Sequence, residues 1–198
     1  MDNNMTVNEQ RRSFMVGAAG FTFGIAVAPS LLVGEAQAQN SSVKVNNWVT
    51  LHTDGTVSIM SPASEMGQGS LTSLPRIIAD EMDADWSKVK IDPTPVGDKV
   101  YGNPGRGYTQ YTAGSATVTG YFASMREFGA QVRQVLMDNA AQRWGVPVAE
   151  VTTQSGTVVH AASNRKLTYG EIAAFAKVPA EAPKGRSEEH TSELQSRQ

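Results

Sequence analysis

Apolar and polar residues alternate over two short segments, 48–52 and 56–60, on either side of Asp54-Gly55. Alternation places every second side chain on one face of a strand, and Asp-Gly is a favoured hairpin turn. The pattern predicts a β-hairpin whose second strand leads directly to a glycine-containing turn. The polar segment 39–43 shows no such pattern and is interpreted as a linker.

Two segments instead repeat apolar residues every three or four positions, which predicts helices over 70–84 and 115–144. Pro75 is expected near the first turn of the first helix, where no intrahelical donor is lost. Gly145 and Pro147 end the second helix. The apolar positions of the first helix are Leu71, Leu74, Ile77, Ile78 and Met82. The inner stripe of the second is Val118, Phe122, Met125, Phe128, Val132, Val135, Leu136, Asn139 and Trp144.

Shorter elements complete the pattern. Residues 86–91 are expected to form a strand, 96–113 a long ordered loop, and 150–159 a hairpin that turns at Ser155-Gly156. Thr168 and Glu171 have the spacing of a capping box, which opens a helix expected over 172–177. The sum is an α+β (mixed α/β) fold, with β-hairpins packed against two or three helices.

Candidate chemistry centres on Gly67-Gln68-Gly69, between the predicted second strand and the first helix. Glycine lets a ligand approach the backbone closely because it has no Cβ. The N–H groups and positive dipole at a helix start suit a phosphate or an electron-rich heterocycle. This arrangement predicts a cofactor cradle, and the alternative is an ordinary glycine turn.

Composition narrows the classes of function. The chain has 198 residues, a net charge of −2 and no cysteine. The charge gives no general case for nucleic-acid binding. The lack of cysteine excludes a disulfide and any Cys-ligated zinc or iron–sulfur site in this chain. His52, His160 and His190 lack metal-ligand spacing, and the first two are interpreted as strand-face residues.

The N-terminal segment 1–38 has the features of an export signal. Arg11 and Arg12 precede a mildly apolar stretch over 14–33, which ends at Ala36-Gln37-Ala38. A small-x-small site of this kind suits cleavage after Ala38, and the paired arginines resemble a twin-arginine signal. The alternative is an uncleaved membrane anchor. Because the twin-arginine route exports folded proteins, it also fits a cofactor acquired in the cytoplasm.

The last segment, 186–198, differs from everything before it. It is polar, with Leu194 as its only aliphatic residue, and it resembles one reading frame of a common sequencing adapter. A genuine charged tail is the alternative. If the adapter interpretation holds, the chain is an N-terminal portion of a longer protein, and 186–198 takes no part in its fold.

Several segments together resemble the molybdenum-binding large subunit of the isoquinoline 1-oxidoreductase type, in the xanthine dehydrogenase and aldehyde oxidase family. They are the signal, the strand pair 48–60, the segments 61–69 and 79–86, Leu74-Pro75, and 96–103. The resemblance covers residues 11 to about 185 and implies that 39–185 is the N-terminal part of a molybdopterin cofactor-binding domain. It implies a molybdopterin cofactor, commonly in its cytosine dinucleotide form, and hydroxylation of N-heterocycles or aldehydes with water as the oxygen source.

The resemblance also implies a small partner subunit with two [2Fe–2S] clusters, which the absence of cysteine here fits. With the signal, it predicts a periplasmic protein, and association with the membrane is the alternative location. A different class remains open: an exported α/β binding or assembly protein without redox chemistry. The sequence does not identify the substrate.

Two turns match the family's cofactor contacts: Gly67-Gln68-Gly69 and Thr112-Ala113-Gly114-Ser115. Helix capping is the competing role for Thr112 or Ser115. The resemblance implies an active-site glutamate near the C-terminal end of such subunits, and nothing in this sequence matches its context. Glu65 is interpreted instead as a structural residue of the cradle. We therefore predict no catalytic residue and no metal ligand in this chain.

Overall fold

The computed structural model describes residues 41–180 and 183. The predicted export signal, with Arg11, Arg12 and the cleavage site after Ala38, lies outside the described residues, and so does the tail 186–198. Within the described part of the chain, no helix is long and apolar enough to cross a membrane.

The first sheet contains four strands in the order β1-β2-β3-β4, and their bounds are Ser42–Lys44, Val49–His52, Val57–Ser61 and Val89–Pro93. The predicted hairpin is confirmed, since β2 and β3 pair antiparallel with Val49 opposite Ile59. The predicted linker is wrong at its end, because β1 pairs with β2 and places Val43 opposite Leu51. Val43 is partly buried against the core between the exposed Ser42 and Lys44, so the three residues of this short edge strand do alternate.

Helix α1, Ser70–Glu81, connects β3 to the parallel strand β4. It starts where the sequence predicts, but Pro75 lies in its second turn rather than its first. Pro75 lacks an N–H and so cannot donate to the carbonyl four residues earlier. Residues Trp86–Lys88 form a 3-10 turn rather than the start of a strand. The Asp85 carboxylate causes this by accepting from the Ser87 N–H at 3.0 Å.

Helix α2, Thr117–Trp144, ends as predicted at Gly145, a left-handed C-cap with φ 67°. Its inner stripe is correct from Met125 onwards and wrong before it. Val118 and Phe122 are 37% and 46% exposed, whereas Tyr121 is 1% exposed. Tyr121 takes the inner position because its hydroxyl donates to the Tyr101 carbonyl at 2.7 Å.

The two long helices cross closely. A Cβ added to Gly129 would lie 2.6 Å from the Ile78 carbonyl oxygen, so only glycine fits at this contact. Glu81 and Arg126 form a buried ion pair nearby, with 2.9 Å between Oε2 and Nε. Across the core, Trp48, which directly precedes β2, stacks on Phe128 at 5.1 Å between ring centroids. These contacts fix both helices on one face of the sheet.

A second antiparallel sheet contains β5, β6 and β7, which are Thr152–Thr153, Thr157–His160 and Arg165–Thr168. The predicted hairpin of 150–159 corresponds to β5 and β6, and β7 was not predicted. Helix α3, Tyr169–Ala173, follows directly and carries the predicted capping box.

The bounds predicted for the last helix, 172–177, are wrong at both ends. Thr168 is the N-cap, so α3 begins at the next residue. Beyond it, the buried Asn139 side chain accepts from the Lys177 N–H and donates to the Lys177 carbonyl, at 2.8 and 3.1 Å. The one polar residue of the inner stripe thus holds this segment in a non-helical path. The α+β class itself is as predicted.

Candidate functional site

The turn Gly67-Gln68-Gly69 lies between the end of β3 and the start of α1. Both glycines are left-handed, with φ 93° and 79°, a conformation that side chains with a Cβ rarely adopt. A Cβ built on either glycine meets no protein atom within 4 Å. Glycine is therefore needed here for backbone conformation, and the same choice leaves two uncovered Cα surfaces.

The Glu65 carboxylate binds the backbone of this turn. Its Oε1 accepts from the N–H groups of Gly67 and Gly69 at 2.7 and 3.0 Å, and its Oε2 accepts from Leu71 at 3.2 Å. The Gly69 N–H, followed by those of Leu71, Gly67 and Met66, holds the pKa of Glu65 below its usual range. A carboxylate saturated in this way does not suit a general base, which agrees with a structural role for Glu65.

The Gln68 side chain is also directed into the turn. Its Oε1 accepts from the Met66 N–H at 2.7 Å, while its Nε2 donates to the Ser64 carbonyl at 2.6 Å and to the Ser70 hydroxyl. Together, Glu65 and Gln68 bind four N–H groups and one carbonyl of the backbone around this turn. Sequence reasoning located the glycines but not this closed hydrogen-bond network.

The second predicted segment, Thr112-Ala113-Gly114-Ser115, forms a turn just before α2. Gly114 and Ser115 are both left-handed, with φ 62° and 53°. The N-cap of α2 is Ala116, which makes no side-chain capping bond. Neither Thr112 nor Ser115 therefore caps the helix, and that alternative is wrong. The first turn of α2 also contains no acidic residue.

The two turns are brought together by a hydrogen bond between residues 48 positions apart. The Ser64 N–H donates to the Thr112 Oγ1 at 3.1 Å. The bond joins the segment before the Gly67-Gln68-Gly69 turn to the first residue of the Thr112-Ala113-Gly114-Ser115 turn. The sequence predicts that Thr112 contacts the cofactor or caps the helix, whereas in the structure its hydroxyl accepts from the Ser64 N–H.

Asn103, which sequence reasoning missed, anchors the loop that carries the second turn. It is 0% exposed. Its Oδ1 accepts from the Gly105 N–H at 2.8 Å, and its Nδ2 donates to the Ala116 carbonyl at 3.1 Å. The Asn-Pro-Gly sequence of 103–105 signals a turn. The burial of Asn103 and its bond to the Ala116 carbonyl depend on the tertiary fold and cannot be predicted from this local sequence.

Aromatic residues and an arginine form the rest of the loop surface. Tyr101 is buried, and its hydroxyl donates to the Asn47 carbonyl at 3.0 Å. Tyr108 and Tyr111 are exposed. The Arg106 guanidinium lies 5.6 Å from the Tyr111 ring centroid. The loop is therefore ordered by its buried members and presents a cation and two rings to solvent.

The histidines have ordinary structural partners. His52 lies 3.1 Å from the Ser58 hydroxyl. His160 is buried, 2.7 Å from the Ser163 hydroxyl and 3.1 Å from the Glu150 carboxylate. His190 lies outside the described residues. No group of three metal-ligating side chains occurs in the part of the chain that the structure describes.

Comparison with known proteins identifies the family to which this chain is similar. The family model of the molybdopterin cofactor-binding domain matches residues 3–196. Isoquinoline 1-oxidoreductase subunit beta of Brevundimonas diminuta is 45% identical over 182 residues, 90% of this chain and 23% of that protein. The membrane-bound aldehyde dehydrogenase [pyrroloquinoline-quinone] of Gluconacetobacter polyoxogenes is 31% identical over 170 residues, 83% of this chain and 21% of that protein.

Among solved structures, a Cu,Mo-CO dehydrogenase superposes with a TM-score of 0.49 at 18% identity, covering 63% of this chain and 15% of that one. The chain therefore spans less than a quarter of the length of each of these relatives.

Proposed function

Because the chain belongs to the molybdopterin cofactor-binding domain family, we propose that its two glycine-containing turns form part of the cofactor site of a molybdenum hydroxylase large subunit. The observation that carries this proposal is the Ser64–Thr112 hydrogen bond, which joins the two turns at the starts of neighbouring helices. An ordinary glycine turn would need no such partner.

The residues present fit a large, partly planar cofactor. Gly67 and Gly69 present Cα surfaces with nothing within 4 Å of a Cβ position. Thr112, Ala113, Gly114 and Ser115 are linked to the chain before this turn by the Ser64–Thr112 bond, and the first turn of α2 that follows them has no capping side chain and no acidic residue. Helix-start N–H groups of this kind favour electron-rich or anionic ligand atoms.

The chain's own residues would bind and orient the cofactor. When bound, the molybdenum cofactor supplies a two-electron oxidation in which water provides the oxygen added to an N-heterocycle or an aldehyde. Glu65 holds no transferable proton, because three backbone donors keep its carboxylate ionised. The proton-accepting residue of the reaction is accordingly proposed to lie in another part of the subunit.

The proposals about the form of the cofactor, the partner subunit and the export route are supported by the sequence. The cytosine dinucleotide form of the cofactor and a small subunit with two [2Fe–2S] clusters follow from the family resemblance. The absence of cysteine supports a division in which the partner carries the clusters. Arg11, Arg12 and the site after Ala38 support export of the folded protein to the periplasm by the twin-arginine machinery.

The proposal is tested on the subunit encoded by the reading frame that contains this chain, co-expressed with the small subunit. Molybdenum by elemental analysis and pterin by fluorescence after oxidation are expected at one equivalent each. Gly69→Asn should lower both several-fold, because asparagine tolerates φ > 0 but places a side chain on the ligand surface. Gly145→Asn is the matched control, since Gly145 is also left-handed and open but lies at the far end of α2.

Two outcomes contradict the proposal. One is well-folded wild-type subunit without molybdenum or pterin, which would favour a non-enzymatic binding or assembly protein. The other is equal cofactor content in Gly69→Asn and wild type. A reading frame that stops with this chain would remove the large-subunit part of the proposal, and cofactor binding would then be measured on the chain itself.

A further inference from the structure

At the start of helix α1, side chains of the same chain accept hydrogen bonds from the backbone N–H groups. An open helix start offers unpaired N–H groups that attract anions. The N–H groups of Gly67, of the N-cap Gly69 and of Leu71 in the first turn of α1 all donate to Glu65, and the Met66 N–H donates to Gln68. These four N–H groups are therefore not available to a ligand phosphate, and the Glu65 carboxylate adds a negative charge that repels one.

The start of α2 is different. Its N-cap, Ala116, makes no side-chain bond, and its first turn carries no acidic residue. The two neighbouring helix starts are thus unequal in charge and in free donors. A ligand that contacts both turns meets an electronegative, internally satisfied surface on one side only.

We propose that Glu65 is a positioning residue: its carboxylate shapes the Gly67–Gly69 turn and closes the start of α1 to anions. The turn therefore receives an uncharged, planar part of the ligand on its glycine surfaces. Assigning that ligand as the cofactor rests on the proposed function. The closure of the helix start to anions does not.

The test measures amide hydrogen exchange of the purified chain by NMR, with inorganic phosphate as the anionic probe. In the wild type, the Gly67, Gly69 and Leu71 amides should be protected, and phosphate should not shift their resonances. Glu65→Ala should speed their exchange about tenfold, and phosphate should then shift and partly protect them. The Ile78 amide, in the buried part of α1, reports whether the helix remains folded.

Glu65→Gln is a second variant that tests the same proposal if Glu65→Ala does not fold. Its remaining carbonyl oxygen can still accept from Gly67 and Gly69, but its NH₂ group cannot accept from Leu71. Faster exchange should therefore be confined to Leu71. Glu127→Gln is the matched control, because the Glu127 carboxylate accepts only a long bond of 3.4 Å from the Gln131 side chain among the described contacts.

Unchanged exchange at all three amides in the Glu65 variants would overturn the proposal, as would phosphate binding to the wild-type turn. Because these experiments need no cofactor, they separate the two proposals. Normal exchange results with an empty subunit would refute the cofactor function alone. A loaded subunit with unaltered exchange in the variants would refute the role of Glu65 alone.

Discussion

Gly69 serves two needs at one position. It is the N-cap of α1 with φ 79° and ψ 6°, and its Cα surface faces open space. A residue with a Cβ would meet no neighbouring atom, so the only intramolecular cost of replacing Gly69 is conformational. Alanine and asparagine differ in that cost, because asparagine enters the left-handed region more readily.

We predict that Gly69→Ala lowers the free energy of unfolding by about 1 kcal/mol and that Gly69→Asn lowers it by less. Urea denaturation followed by circular dichroism measures both. The same pair at Gly145, with φ 67°, should give the same order. Equal losses for alanine and asparagine at residue 69 would show that something other than backbone conformation selects glycine there.

Among the elements, helices α1 and α2 depend on one small residue where they cross. Gly129 lies in the interior of α2, where helix propensity alone favours alanine by about 1 kcal/mol. The crossing opposes this preference, because an added Cβ would lie 2.6 Å from the Ile78 carbonyl and 2.8 Å from the Glu81 Cβ. Those neighbours belong to the backbone and the base of a side chain, so they cannot move without separating the helices.

Gly129→Ala should therefore destabilise the chain by about 1–3 kcal/mol, the usual cost of overpacking. The sign of the change in the free energy of unfolding distinguishes the two effects, because helix propensity alone predicts that alanine stabilises the chain. Thermal unfolding of the variant beside Ala123→Gly, an exposed position on the same helix, separates propensity from packing. A stabilised Gly129→Ala variant would mean that the helices do not approach as described.

Helix α3 is short enough that its capping box largely determines whether it forms. Glu171 accepts from the Thr168 N–H and hydroxyl at 2.8 Å each, and the Thr168 hydroxyl accepts from the Glu171 N–H at 3.2 Å. The Thr168 N–H, followed by its hydroxyl, lowers the pKa of Glu171. This contribution to stability is complete above the usual glutamate pKa and is lost as the pH falls through the lowered value.

Thr168→Ala should cost about 1 kcal/mol at neutral pH, and Thr168→Ser should cost less. Glu171→Gln should show a smaller loss of stability than the wild type when urea denaturation is repeated at acidic pH. If acid destabilises Glu171→Gln as much as the wild type, the capping carboxylate is not among the groups that titrate on unfolding.

Periodicity sufficed for elements whose pattern reflects burial. The hairpin around Asp54-Gly55, the start of α1 and the C-terminal half of α2 follow from it. Elements set by a distant partner were missed: β1 forms because β2 offers an edge, and α3 ends early because Asn139 binds Lys177. At the site, the glycines were predictable from backbone conformation. The Ser64–Thr112 bond and the internal bonding of Glu65 and Gln68 depend on how the chain folds back.

At the scale of the whole molecule, large apolar side chains remain exposed at the turns and at the start of α2. Phe122 is 46% exposed, Tyr111 45% and Met66 71%. A chain that presents several such residues is prone to associate with itself.

Phe122→Gln should reduce self-association of the chain, measured by sedimentation velocity, and should change the free energy of unfolding by less than about 0.5 kcal/mol. Val148→Gln provides the control, since Val148 is 38% exposed beyond the other end of α2. An equal decrease in self-association for both substitutions would indicate a general gain in solubility rather than association through the apolar residues near the turns.

The anchoring of loop 94–116 by Asn103 and Tyr101 bears on how fast a ligand can be received. Asn103 ties the loop to the Ala116 carbonyl, and Tyr101 ties it to Asn47. The conformational entropy of the loop is therefore lost during folding rather than during binding. Association at these turns should proceed without a loop-closing step, so its rate would rise linearly with ligand concentration instead of reaching a plateau.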